Sequence, residues 1–167
     1  MKKIISILLG ICLCGGVFAQ TQLKIISFNI HAGYDAPIAD IAAFIKEQDP
    51  DIVALQEVEY YTNRTGANTP RSINNNINML NELAYLTGMH GMFYVTLEKC
   101  YGGKFGNAIL SKHSFDETRR IMLPCAAGTE QRNAAIADIK LPDGTEFSIV
   151  DTHIDMSKLD NGMSQIK

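Results

Sequence analysis

The sequence predicts an α/β fold, and three observations carry that prediction. A β-branched segment, "LKIISFNIHAG" (23–33), precedes a stretch with Ile38, Ile41 and Ile45 at helical spacing, and a continuous apolar run, Ile52–Leu55, follows. A strand, a helix and a strand buried on both faces form the α/β order. Further on, "AAIADIKLPDGTEFSIVDTHID" (134–155) reads as a hairpin, with two β-rich arms around Pro142, Asp143 and Gly144.

The chain opens before this fold begins. Lys2 and Lys3 lead into "IISILLGICLCGGVFA", which ends in small residues at Ala19. A charged start, a short apolar core and small residues before a cut describe a secretory signal peptide over 1–19. The apolar run is shorter than the ~20 residues that span a bilayer, which counts against a membrane anchor. Ile11 and Leu13 stand where a lipoprotein signal carries small residues before Cys12 or Cys14. The expectation is export to the periplasm or extracellular space, with no transmembrane segment after processing and one domain over 20–167.

Removal of 1–19 takes away two lysines and no acid, so the net charge moves from −3 to −5. That balance argues against strong nonspecific binding to nucleic acid or anionic membrane. It leaves room for a local basic cleft or a metal-bridged phosphate. Cys100 and Cys125 remain; an oxidising compartment would permit their pairing, but spacing alone does not give the geometry. Neither belongs to a zinc-type pattern.

Each element has its own signal. The first strand ends in Asn29 and His31 before Gly33. In the first helix Pro37 suits the opening turn and Pro50 lies beyond the end. The loop "YYTNRTGANTPRS" leads to a second helix, with Ser72 as its cap, Ile73, Ile77, Leu80 and Ala84 on one face, and Gly88 after it. "MFYVTL" reads as a strand, "EKCYGGK" as a loop, and "NAILSK" as a strand that Asn107 begins.

Polar residues gather at the strand ends. Glu57 closes the Ile52–Leu55 strand, Asn29 the first, and Asp151 and His153 the last. Ligands in α/β sheets collect at such edges. One carboxylate, an amide oxygen and several waters suit Mg²⁺, and Arg132 has the chemistry to clamp a phosphate. Each residue also has a structural reading: a turn Asn, a hydrogen-bonded His, a solvated Arg. No G-x-S-x-G elbow occurs, and "GGKFGN" lacks the phosphate-loop spacing.

Five ordered blocks, "SFNIHAG", "DPDIVALQEV", "FGNAILSK", "EQRNAAIADI" and "VDTHID", resemble the endonuclease/exonuclease/phosphatase superfamily, which includes DNase I-like nucleases, inositol polyphosphate phosphatases and sphingomyelinases. The resemblance spans Leu23 to Asp155. It implies a DNase I-like α/β sandwich of two packed mixed sheets flanked by helices. It also implies a phosphoesterase that hydrolyses phosphate esters of small molecules, lipid headgroups or nucleic acids. By the same resemblance Glu57 is the metal ligand and Asn29 helps order metal and phosphate. His153 contacts phosphate or assists the leaving group, and Asn107, Arg132 and Arg64 lie near substrate. The metal implied is Mg²⁺, with Mn²⁺ or Ca²⁺ as other hard ions for oxygen ligands.

The family's later "GD-x-N" and "SDH" blocks are not found among these residues. The expectation is therefore the N-terminal part of such a domain. A non-catalytic fragment with weak metal or phosphate binding stands as the alternative.

Overall fold

A computed structural model describes residues 22–64, 76–155 and 159–166. The expected leader and the expected cap Ser72, with Ile73, lie outside these residues. Strand β1 (Ile25–Asn29) leads through a 3-10 turn (His31–Gly33) to helix α1 (Ile38–Gln48) and strand β2 (Ile52–Tyr60). Helix α2 (Met79–Thr87) follows, then β3 (His90–Cys100), β4 (Gly103–Ser111), β5 (Phe115–Met122), β6 (Asn133–Lys140), β7 (Glu146–Thr152) and α3 (Leu159–Gln165). No described helix is long and apolar enough to cross a membrane.

Helix α1 turns Ile38, Ile41, Ala42 and Ile45 inward, which is the stripe that the sequence spacing predicts. It ends on Asp49 in a left-handed conformation, whose N–H closes onto Ile45 and Lys46 carbonyls, with Pro50 next. Helix α2 starts later than the sequence predicts. Asn78 caps it, its side chain accepting the Asn81 N–H at 3.1 Å, and Ile77 precedes the helix. Gly88 ends it in the left-handed region, as expected.

Two sheets form the body. One has the order β1-β2-β4-β3, with β1 and β2 parallel across the α1 crossover; the other is an antiparallel meander, β5-β6-β7. Alternation along β4 sends Ala108 and Leu110 toward the helices and Ile109 toward the second sheet. Ile52 and Ile109 meet Ala135, Ala137 and Ile139 between the sheets, and Tyr94 donates its hydroxyl to the Ile136 carbonyl at 3.0 Å. The outer face of the second sheet leaves Ile121 and Val150 exposed.

Three details depart from the sequence reading. β3 and β4 run through most of the expected loop and meet at Tyr101 and Gly102, both at positive φ, in a two-residue hairpin turn. Asn107 consequently sits within β4 and does not begin it. Strand β5 carries no strand signal in the sequence, because it is an edge strand rich in charged residues: Arg119 and Arg120 use their side chains at its rim, Arg119 pairing with Asp138.

Gly106 of β4, flanked by register shifts in β2 and β3, allows a close backbone approach. A Cβ there would lie 2.1 Å from the Tyr94 carbonyl oxygen. Gly106→Ala is expected to cost roughly 3 kcal/mol or more, since the obstacle is backbone. Urea unfolding measures it.

Candidate active site

Strand β2 does not stop at Leu55; it continues to Tyr60 across a β-bulge. Leu55 pairs with Ala108 and Val58 with Gly106, so Gln56 and Glu57 together oppose the single residue Asn107. Glu57 takes φ 58°, a left-handed conformation that a non-glycine residue holds only when its surroundings impose it. The bulge shifts the side-chain alternation by one. Val58 returns to the helix-side core, and Glu57 is delivered to the mouth between the sheets.

Asn29 holds it there. Its Nδ2 donates to Glu57 Oε1 at 2.9 Å, and its Oδ1 accepts the His31 N–H at 2.8 Å. The second requires the turn over His31–Gly33, all three residues at positive φ. His31 itself pairs with exposed Asp35 at 2.9 Å.

The second sheet supplies the opposite wall. Arg132 Nη1 donates to His153 Nδ1 at 2.9 Å, and Arg132 Nη2 lies 3.0 Å from Glu130. Burial, with the Arg132 charge beside it, pushes the His153 imidazole below its ordinary pKa and keeps it neutral near pH 7. A neutral ring that accepts at Nδ1 carries its proton on Nε2. That proton faces Glu57, whose Oε1 is 3.9 Å from Nε2.

Beneath these groups lies a polar floor. Gln56 Nε2 donates to Asp151 Oδ1 at 2.6 Å and ties the sheets together. Burial pushes the Asp151 carboxyl up to about 7, partly offset by the Gln56 hydrogen bond. Asn107 is 2% exposed and its Nδ2 has no hydrogen-bond partner among the described residues, so it belongs to the floor under the bulge. Asn133 fixes its own amide by donating to the Tyr94 and Val95 carbonyls.

Arg64 lies farther along the same cleft, which has a volume of about 480 Å³ and shares Glu57 and Arg132 with the groups above. It is half-buried, with Nε 2.7 Å from Glu59 Oε1, and is not a solvated loop residue. Cys100 is buried and Cys125 exposed, and both are free thiols.

The structure therefore brings Asn29, Glu57, Arg132 and His153 together, sets Asn107 below them, and places Arg64 at the far wall. Sequence reading missed Gln56 with Asp151 as the inter-sheet tie, Glu130 beside Arg132, and Glu59 beneath Arg64. Only Glu59 left a sequence signal, its i+2 spacing from Glu57. As a donor set, one carboxylate oriented by the Asn29 amide N–H suits a hard cation that keeps most of its waters. Among the described residues no group of three His, Cys, Asp or Glu side chains gathers as zinc would need.

The fold and these groups define a two-sheet α/β sandwich with an acid–amide pair facing an Arg–His pair. The chain belongs to the endonuclease/exonuclease/phosphatase family, which it matches over residues 26–153. It resembles an endonuclease/exonuclease/phosphatase from Beutenbergia cavernae, with 22% identity, a TM-score of 0.68, and 86% of this chain covering 42% of that one. It also resembles the human Nocturnin catalytic domain, solved with a bound sulfate anion, at 18% identity and a TM-score of 0.61 (86% of this chain, 54% of that). A third is a mannosyl-6-phosphatase from Bacteroides thetaiotaomicron, at 15% and 0.57 (84% and 54%). The chain thus spans about half the length of these structures. A sequence search of curated proteins found no match.

Proposed function

We propose that this chain carries the metal-binding half of an exported phosphoesterase that hydrolyses phosphate ester bonds with the aid of a divalent cation. The observation that carries the proposal is the bulge: left-handed Glu57, held by Asn29, faces Arg132 and His153 across one cleft. A strained carboxylate fixed opposite a cation is poorly explained by packing alone. Family membership supports the same reading, as does the leader expected over 1–19.

Glu57 would hold Mg²⁺, or Mn²⁺ or Ca²⁺ as the alternative hard ions, with Asn29 orienting its carboxylate through Nδ2. When bound, the cation supplies Lewis-acid polarisation of a phosphoryl oxygen. The chain's own groups do the rest. Arg132 donates to a nonbridging phosphate oxygen, and the His153 Nε2 proton is placed to reach another oxygen or the departing alkoxide. Asn29 keeps Glu57 from rotating. In the hydrolysis, a water oxygen forms the new P–O bond, the ester P–O bond breaks, the alcohol leaves with one of the water's protons, and the other stays on the phosphate or passes to solvent. Asn107 lies buried opposite the bulge and does not line the cleft.

The test is release of p-nitrophenol by the purified chain from bis(p-nitrophenyl) phosphate and from p-nitrophenyl phosphate, with Mg²⁺ and with EDTA. Mg²⁺-dependent release is expected. A folded chain with no turnover under either condition would favour the second reading, a non-catalytic piece that binds metal or phosphate. The observation behind that reading is the coverage of about half of each similar structure.

A further inference from the structure

The far wall of the cleft is built differently from the end that faces Glu57. After the bulge, Glu57 and Glu59 share one side of β2. Glu57 reaches the mouth, whereas Glu59 is 2% exposed and lies below it. Both Glu59 oxygens are engaged: Oε1 is 2.7 Å from Arg64 Nε, and Oε2 accepts the Thr62 hydroxyl. Arg64 Nη2 donates to Cys100 Sγ at 3.3 Å. The guanidinium carbon sits 4.4 Å from the Tyr101 ring centroid and 5.9 Å from that of Phe105. Nε makes no hydrogen bond, so the Glu59 contact is an ion pair that compensates the charge, while the Cys100 hydrogen bond and the ring contacts orient the guanidinium. Its partner carboxylate is buried, unlike the half-exposed Glu130 beside Arg132, so Arg64 is the weaker free ligand for phosphate, but it remains a flat, polarisable surface. Leu97, Phe105 and the exposed Lys99 complete this wall.

We propose that the Arg64–Tyr101 wall binds the organic part of the phosphate ester, that this part is a planar aromatic ring, and that Glu59 is the positioning residue that fixes Arg64 there. The proposal rests on the reading that the phosphate lies between Glu57, Arg132 and His153. The two ends then divide the substrate: charge at the bulge, ring at the stack. A volume of about 480 Å³ holds a phosphate with one ring system, within the roughly 300–1,000 Å³ of small-molecule sites.

The experiment measures affinities of the full chain with Mg²⁺ for inorganic phosphate, phenyl phosphate and glycerol phosphate. Phenyl phosphate is expected to bind about fivefold or more tighter than glycerol phosphate, in line with one stacking contact. Tyr101→Ala, at a 63% exposed position where folding is not at risk, is expected to bring that ratio close to one. Glu59→Gln is expected to do the same, because a loosened guanidinium no longer presents its face. A ratio unchanged in folded Tyr101→Ala, or glycerol phosphate bound as tightly as phenyl phosphate, overturns the proposal whether or not Glu59→Gln folds. If the unmodified chain fails to bind inorganic phosphate, the phosphate reading falls, and the stacking proposal falls with it.

Discussion

Glu57→Gln is expected to reduce Mg²⁺-dependent phosphoester hydrolysis by about a hundredfold or more, while leaving the fold intact. Glutamine keeps the size and the left-handed backbone and still offers an oxygen to Asn29 Nδ2. It loses the negative charge that would hold a hard cation. Steady-state rates across a Mg²⁺ titration check this. A variant within a few-fold of the parent would move the cation site away from the bulge. Asn29→Ala should have a smaller effect of the same kind, since it frees the carboxylate to rotate without removing it.

The second large effect concerns stability. The Asp151 carboxyl is raised to about 7 in the folded chain, against an ordinary value of 3.8, because it is buried at 3% exposure beneath Gln56. A raised folded pKa means that the native state binds the proton more tightly. The stability this provides is fully present below about pH 4 and is lost as pH rises through about 7. About three pH units of difference correspond to roughly 4 kcal/mol. Asp151→Asn keeps the acceptor for Gln56 Nε2 and does not titrate. Relative to the parent, it is expected to gain stability progressively from pH 4 to pH 8, by up to about 4 kcal/mol. Urea unfolding at pH 5, 6.5 and 8 measures the gain. A constant offset between the two proteins would show that Asp151 is not the titrating group.

Much of the fold is legible in the sequence because its signals are local. Ile38, Ile41 and Ile45 specify a helix face on their own, Ile52–Leu55 needs only continuous burial, and Pro142-Asp143-Gly144 marks its turn without reference to anything distant. What stayed hidden depends on pairing. The bulge at Gln56 and Glu57 exists because β4 offers one residue, Asn107, where β2 offers two. Nothing within "LQEV" says so. Strand β5 escaped because an edge strand is permitted charges that a central strand is not. The start of α2 was misplaced because Asn78 caps as well as serine and lies nearer the apolar stripe.

The site divides the same way. Asn29, Glu57, Arg132 and His153 were each visible at strand ends, and the structure gathers them in one cleft. Arg64 was visible as a residue but not as half of an ion pair. Beyond its spacing from Glu57, Glu59 carries no sign of a role in the sequence, because a buried carboxylate shows itself only through its partner. The Gln56–Asp151 tie crosses 95 positions of chain, far beyond any local pattern.

Direct detection of the cation on Glu57 decides most. Mn²⁺ titrated into the isotope-labelled chain broadens nuclear resonances within its reach. The expected result is early, selective broadening of the Asn29 side-chain amide, the Glu57 backbone amide and the His153 ring, absent in Glu57→Gln. Broadening centred elsewhere, or broadening at these groups that persists in Glu57→Gln, would contradict a metal site built on the β2 bulge.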